Sequence, residues 1–534
     1  MKKPFHLTFA ATSLVLSFAA YSQSPNPLFQ HLPPNAGHIY EINFNQINSK
    51  GNIGALLGSV PPSKNAQTGL ILSVLKDPAA AGVDLSQNIF FTQTTADGTG
   101  SDTLSFINVL VRLSDSAKFR SALTGSITGI HIHRLPGKGV TAFKEHLGVA
   151  WNDQLVVITL ATAEHGAGKT THPSTPAPHR PIGEIAVEKS LAALAGFPGS
   201  PLLTDQRFQS GFATNEDIHA WSIRMDMMQM MTKLAGKMAA KHPGMQGKPM
   251  PDYSNMGQTP RPPVLTTFNF DNGRIVLRTT MFYKPEDAAI LHGLYDRPLN
   301  KDLLARVPNN GLLLGFVAAH INPSNFPDVL DKYHTRKMVD SMLGKKGLTI
   351  NDISGVIGGD FLVAVLSDTS AVTDTAKKKI NFYFVATLGD PAKLMQIAAK
   401  MGAAGGEITD TAGMAKMKKF ADKLVIRDNM LVVSTTREMA QQYFSNQDRR
   451  STALAGDDNS PARVAIDLKA VSSFIGQSMA SNPKALIFAR MLEKLDKIDF
   501  SVSIPDGNNL TMTFQIITAE PSTNSLNTLM SILH

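Results

Sequence analysis

Few side chains in this 534-residue chain are spaced for chemistry. Among 23 methionines, Met227, Met230 and Met231 crowd together, with His242 downstream. Thioether sulfur is a soft ligand suited to Cu(I), so these four are the candidate metal ligands. Packing competes with that reading, because Met228, Met231, Leu234 and Met238 recur at helical spacing, as a core-facing stripe does. His131 and His133 would share one side of a strand, yet no carboxylate or H-E-x-x-H partner stands at a fixed distance. The phrase GAGKTT at 166–171 imitates a phosphate loop. It has Ala163 where the pattern needs Gly, and prolines where the anion-binding helix should follow, so it reads as loop. Gly355, Gly358, Gly359 and Asp360 precede an apolar strand, as a turn or bulge would. There is no G-x-S-x-G elbow. With no cysteine there is no thiol nucleophile and no Cys-ligated zinc. These residues assign no catalytic group and no cofactor.

The elements that must carry any site are written twice. LFQHLPPNAGHIYEINFNQIN, from Leu28, is echoed by LLARVPNNGLLLGFVAAHINPSN, from Leu303, with Pro33 matching Pro308. Both give turn chemistry, an apolar strand, then Asn residues able to cap a helix. Gly82 matches Gly347. FINVLVRLSDSAKF matches INFYFVATLGDPAKL through Asp115 and Asp390, a strand followed by a helix start capped near Ser114 or Asp390. VAWNDQLVVITLATAE matches VIRDNMLVVSTTREMA, each with an Asn/Asp hairpin signal between strands. Asp226 matches Asp467, and the turns Asp271-Asn272-Gly273 and Asp506-Gly507 close the series. Consecutive strands joined by tight turns make antiparallel sheet, with helices covering a face. The expected fold is α+β, two tandem diverged copies. The first repeat runs over 23–300, with Pro/Gly-rich insertions at about 164–183 and 240–263, and the second over 301–534.

Residues 1–22 have the grammar of a secretory signal: Lys2 and Lys3, an apolar run from Leu7 to Ala20, then Ala20 and Ser22 at the −3 and −1 positions of a cut before Gln23. The run is shorter than the about 20 residues a spanning helix needs, and no later segment is long enough. The expected location is extracytoplasmic, in the periplasm or at the outer surface. A formal charge of +8, spread along the chain, argues against a nucleic-acid footprint.

LFQHLPPNAG (28–37), its echo LLARVPNNG (303–311) and VIRDNMLVVST (425–435) resemble phrases of an exported protein family of Gram-negative envelopes catalogued as a domain of unknown function. The resemblance covers most of 28–520. Many relatives are lipoproteins with a Cys at the processing site, which this chain lacks. The family supplies no catalytic residues. The function expected is a non-enzymatic binding or structural role in the cell envelope. Its partner would be another envelope protein, or a ligand in the cleft between repeats. Periplasmic metal handling by 225–256, and a hydrolase site assembled from distant residues, are the alternatives.

Overall fold

Strand alternation and tight turns dictate an α+β architecture with extensive antiparallel sheet. The computed structural model describes residues 26–51, 74–97, 103–164, 181–223, 262–332, 335–344, 347–368, 380–404, 423–445, 449–456, 459–479 and 481–533. Contacts divide the chain into two compact units at Arg224/Met225.

In the first unit the strands are β1 (His38–Ile42), β2 (Ile89–Asp97), β3 (Thr103–Arg112), β4 (His131–Leu135), β5 (Gly139–Lys144), β6 (Leu147–Trp151), β7 (Leu155–Glu164) and β8 (Ile218–Ser222). They pair antiparallel in the order β8-β1-β2-β3-β7-β6-β5-β4. Helices α1 (Phe44–Lys50), α2 (Ser116–Ser126), α3 (Ile182–Ala195) and α4 (Gln206–Phe212) flank them. Asn43 caps α1 by accepting from the Gln46 amide, and Asp115 caps α2 by accepting from Ala117 and Lys118. Asp115, rather than Ser114, is therefore the cap. On one face Val109, Ile158, Val149 and Trp151 bury against Phe119 and Leu123 of α2. On the other, Phe29, Phe208, Phe212 and Trp221 form an edge-to-face cluster.

The second unit contains β9 (Val264–Asp271), β10 (Arg274–Phe282), β11 (Gly311–His320), β12 (Ile357–Asp368), β13 (Ile380–Leu388), β14 (Leu424–Arg427), β15 (Met430–Ser434), β16 (Ala462–Asp467), β17 (Leu495–Val502) and β18 (Asn509–Thr518). Their antiparallel order is β9-β10-β18-β17-β16-β11-β12-β13-β15-β14. Sequence reasoning grouped residues 264–282 with the first repeat. The structure groups them with the second unit, because β10 pairs along its whole length with β18, from Arg274–Ile517 to Phe282–Asn509. The cross-strand row Phe384–Val363–Val317–Val464–Phe500–Phe514 is apolar across six strands, so a one-residue slip would exchange an entire apolar face for the other. On the opposite face Tyr383, Phe316, Leu362 and Val432 pack with Ala440 and Tyr443 of α5 (Arg437–Ser445).

The turns agree with the sequence in detail. Asp428 and Asn429 both take positive φ (52° and 56°) between β14 and β15, as a two-residue hairpin of type I′ requires. Gly82 and Gly347, matched in the sequence, share positive φ (67° and 68°). Each also closes the same pair of backbone bonds: Gly82 to Ala79 and Val83 to Pro78, Gly347 to Gly344 and Leu348 to Leu343. At Gly82 a Cβ would lie 2.1 Å from the Asp115 carbonyl oxygen, so only glycine fits.

Burial in the second core also sets an alkaline limit. It pushes the Tyr383 hydroxyl from its ordinary 10 up to about 12, against the opposing pull of Ser434 and the Arg450 charge. Burial raises Tyr443 as well, whose hydroxyl donates to the Leu303 carbonyl at 2.8 Å. Above pH 10 the unfolded chain releases protons that the folded one keeps, so this stability is complete below pH 10 and is lost as pH climbs towards 12. The slope from Tyr383 is about 1 kcal/mol per pH unit. Urea midpoints followed by far-UV circular dichroism should fall across that window, and Tyr383→Phe should flatten the fall. An unchanged slope in Tyr383→Phe would remove Tyr383 as its source.

Candidate ligand site

Alternation along β1 places Glu41 on the same face as Ile39, which is fully buried. Register then sets Glu41 between His219 on β8 and Phe90 on β2. An acid and an imidazole thereby occupy core positions, 1% and 2% exposed. Glu41 Oε1 accepts from Asn88 Nδ2 at 2.7 Å. Its Oε2 stands 2.9 Å from His219 Nδ1, but off the line of a directed hydrogen bond. His219 Nε2 is 2.9 Å from Thr214 Oγ1, and the ring stacks on Phe212 at 5.2 Å. Beneath, the fully buried Asp217 takes Lys50 Nζ at 2.8 Å, and its carbonyl accepts the Asn43 amide, fastening α1 to the start of β8.

Glu41 and His219 line a pocket of about 410 Å³. Six of its fourteen lining residues are Asn or Gln, among them the exposed Gln87 and Asn215. Thr214, His219 and Glu41 follow the order nucleophile, base, acid. However, Thr214 gives its proton to the Gly211 carbonyl at 3.1 Å, and the Glu41–His219 contact is misdirected. The geometry suits holding a polar molecule better than relaying a proton.

The second unit has a buried polar cluster of its own. His320 Nδ1 meets Asp360 Oδ1 at 2.8 Å, and Nε2 meets Asp296 Oδ1 at 2.7 Å. Arg297 Nη2 donates to Asp360 Oδ2 at 3.0 Å. These groups tie β11 to β12 and to the segment before β11. The glycines before Asp360 form the expected bulge, where pairing shifts between Ile357 and Phe361.

Met227, Met230, Met231 and His242 lie outside the described residues, as does GAGKTT. His131 and His133 are exposed and flank one ring, Phe143, at 5.5 and 6.1 Å. Among the described residues, no group of three or more His, Asp or Glu is placed to hold a metal. No described helix is long and apolar enough to cross a membrane. Sequence reasoning missed Glu41 and His219, which are 178 positions apart. The available signal was parity: Glu41 shares its face with Ile39, and His219 shares its face with Trp221.

No family model and no curated protein matches the chain. Solved structures of TP0453 are similar in part. Crystal form IV is 9% identical with a TM-score of 0.27, over 51% of this chain and 86% of that one. Crystal form III is 7% identical with a TM-score of 0.20, over 79% and 98%. Likeness at that level carries no argument about fold or function.

Proposed function

We propose that the chain is an exported, non-enzymatic binding protein of the cell envelope, made from two copies of one α+β unit, and that the first unit holds a small polar solute. The observation that carries the binding reading is the buried Glu41–His219 pair opening into the 410 Å³ pocket. Buried ionisable groups are costly unless satisfied, and Glu41 Oε2 and His219 Nδ1 are buried beside the pocket without a directed hydrogen bond. The signal-like residues 1–22 support export, as does the resemblance to exported envelope proteins. Duplication is supported by the parallel orders β8-β1-β2-β3-β7-β6 and β16-β11-β12-β13-β15-β14, and by the matched bonds at Gly82 and Gly347.

The test is equilibrium dialysis of the full chain against a mixed library of small polar metabolites, with retained solutes identified by mass spectrometry. Wild type should retain a solute that Glu41→Gln does not. If wild type retains nothing, the binding reading is wrong.

A further inference from the structure

We propose that the solute is a neutral polyhydroxylated compound, a monosaccharide or disaccharide, held by the amide-rich lining of the pocket that Glu41 and His219 also line. This rests on the binding reading above and names its ligand class. The first argument is charge. Among the described residues the pocket lining contains Glu41 and Glu216 but no lysine or arginine, in a chain where Lys and Arg outnumber Asp and Glu by 51 to 43. An anion would enter with no cationic partner and two carboxylates against it.

The second argument excludes an organic cation. Cation recognition uses open aromatic faces. Phe212 has its ring stacked on His219, and Phe29 is buried edge-on among Phe90, Phe208 and Phe212. No aromatic cage is left. The third argument is the complementarity of groups. Asn26, Gln87, Asn88 and Asn215 bring amides, which both donate and accept. A hydroxyl does the same. It can give its proton to an amide oxygen and take one from an amide nitrogen of the same lining. A volume of 410 Å³ lies at the small end of ligand sites, about 300–1,000 Å³. That is room for a small sugar.

The experiment is thermal shift followed by titration calorimetry on the full chain. The neutral probes are glucose, galactose and maltose; the charged probes are glucuronate, glucose 6-phosphate and spermidine. At least one neutral sugar should bind saturably. Gln87→Ala and Asn215→Ala, exposed positions that the fold tolerates, should each weaken it about tenfold with unchanged ligand-free melting. Binding of a charged probe in preference to every neutral sugar, with loss in those same variants, would overturn the sugar and leave the binding reading intact. If none of the six binds to folded wild type, the sugar assignment is wrong. The dialysis experiment then decides the broader reading on its own.

Discussion

Replacing His320 by alanine should destabilise the second unit by about 3 kcal/mol and leave the first unit's unfolding where it was. Asp360 is the reason. Its side chain is 4% exposed, and it is held by His320 at 2.8 Å and Arg297 at 3.0 Å. Removing one partner of a buried ion pair costs about 3–5 kcal/mol, because the survivor stays buried without compensation. Arg297 remains in His320→Ala, which places the expectation at the lower end. Asp296 is 42% exposed and is rehydrated at little cost. The two units can be read separately. The chain has two tryptophans, Trp151 and Trp221, both buried in the first unit. Urea unfolding followed by tryptophan fluorescence should therefore not shift in His320→Ala, while the later or earlier transition seen by circular dichroism should. A circular-dichroism midpoint equal to wild type would mean that the cluster contributes no net stability.

Local chemistry was legible in the sequence, and long-range pairing was not. Asn43 announces a helix start because a short side-chain acceptor suits unpaired amides, and the start at Asp115 was legible to within one residue. Asp428-Asn429 announces a hairpin because these residues tolerate positive φ. Gly82 and Gly347 are legible as turn positions because each takes positive φ. None of these signals says which strand β10 will choose. Its partner β18 lies more than 200 residues away, and both strands are amphipathic ribbons that many others could match. For that reason the sequence places residues 264–282 with the first repeat, whereas their strand pairing lies in the second compact unit. The candidate site was hidden for a related reason. Glu41 and His219 sit in short strands whose other inward residues are apolar, and only the β1–β8 register brings them together. The methionine cluster drew the chemical argument instead, since its members are adjacent in sequence. Proximity along the chain is visible before folding, whereas proximity across a sheet is not.

The pair that lines the pocket should behave differently from the His320 cluster when both partners are replaced at once. Glu41→Ala and His219→Ala should each cost the first unit about 1–3 kcal/mol, read from tryptophan fluorescence, since each removes the neighbour of a buried polar group that keeps one other hydrogen bond, to Thr214 or to Asn88. The double variant should cost less than their sum, with a coupling of about 1–3 kcal/mol. A volume-matched apolar pair, Glu41→Met with His219→Leu, sharpens the question. Apolar replacement of both partners of a buried polar contact can be nearly neutral or stabilising, and the cluster of Phe29, Phe208, Phe212 and Trp221 offers such residues an apolar setting. That variant should unfold at or above the wild-type midpoint and yet bind no solute. A fold that is sound without the pair, beside a pocket that no longer works, would mean that Glu41 and His219 serve the ligand. If the apolar pair is instead as unstable as either alanine variant, the two residues serve the fold, and the pocket above them is incidental.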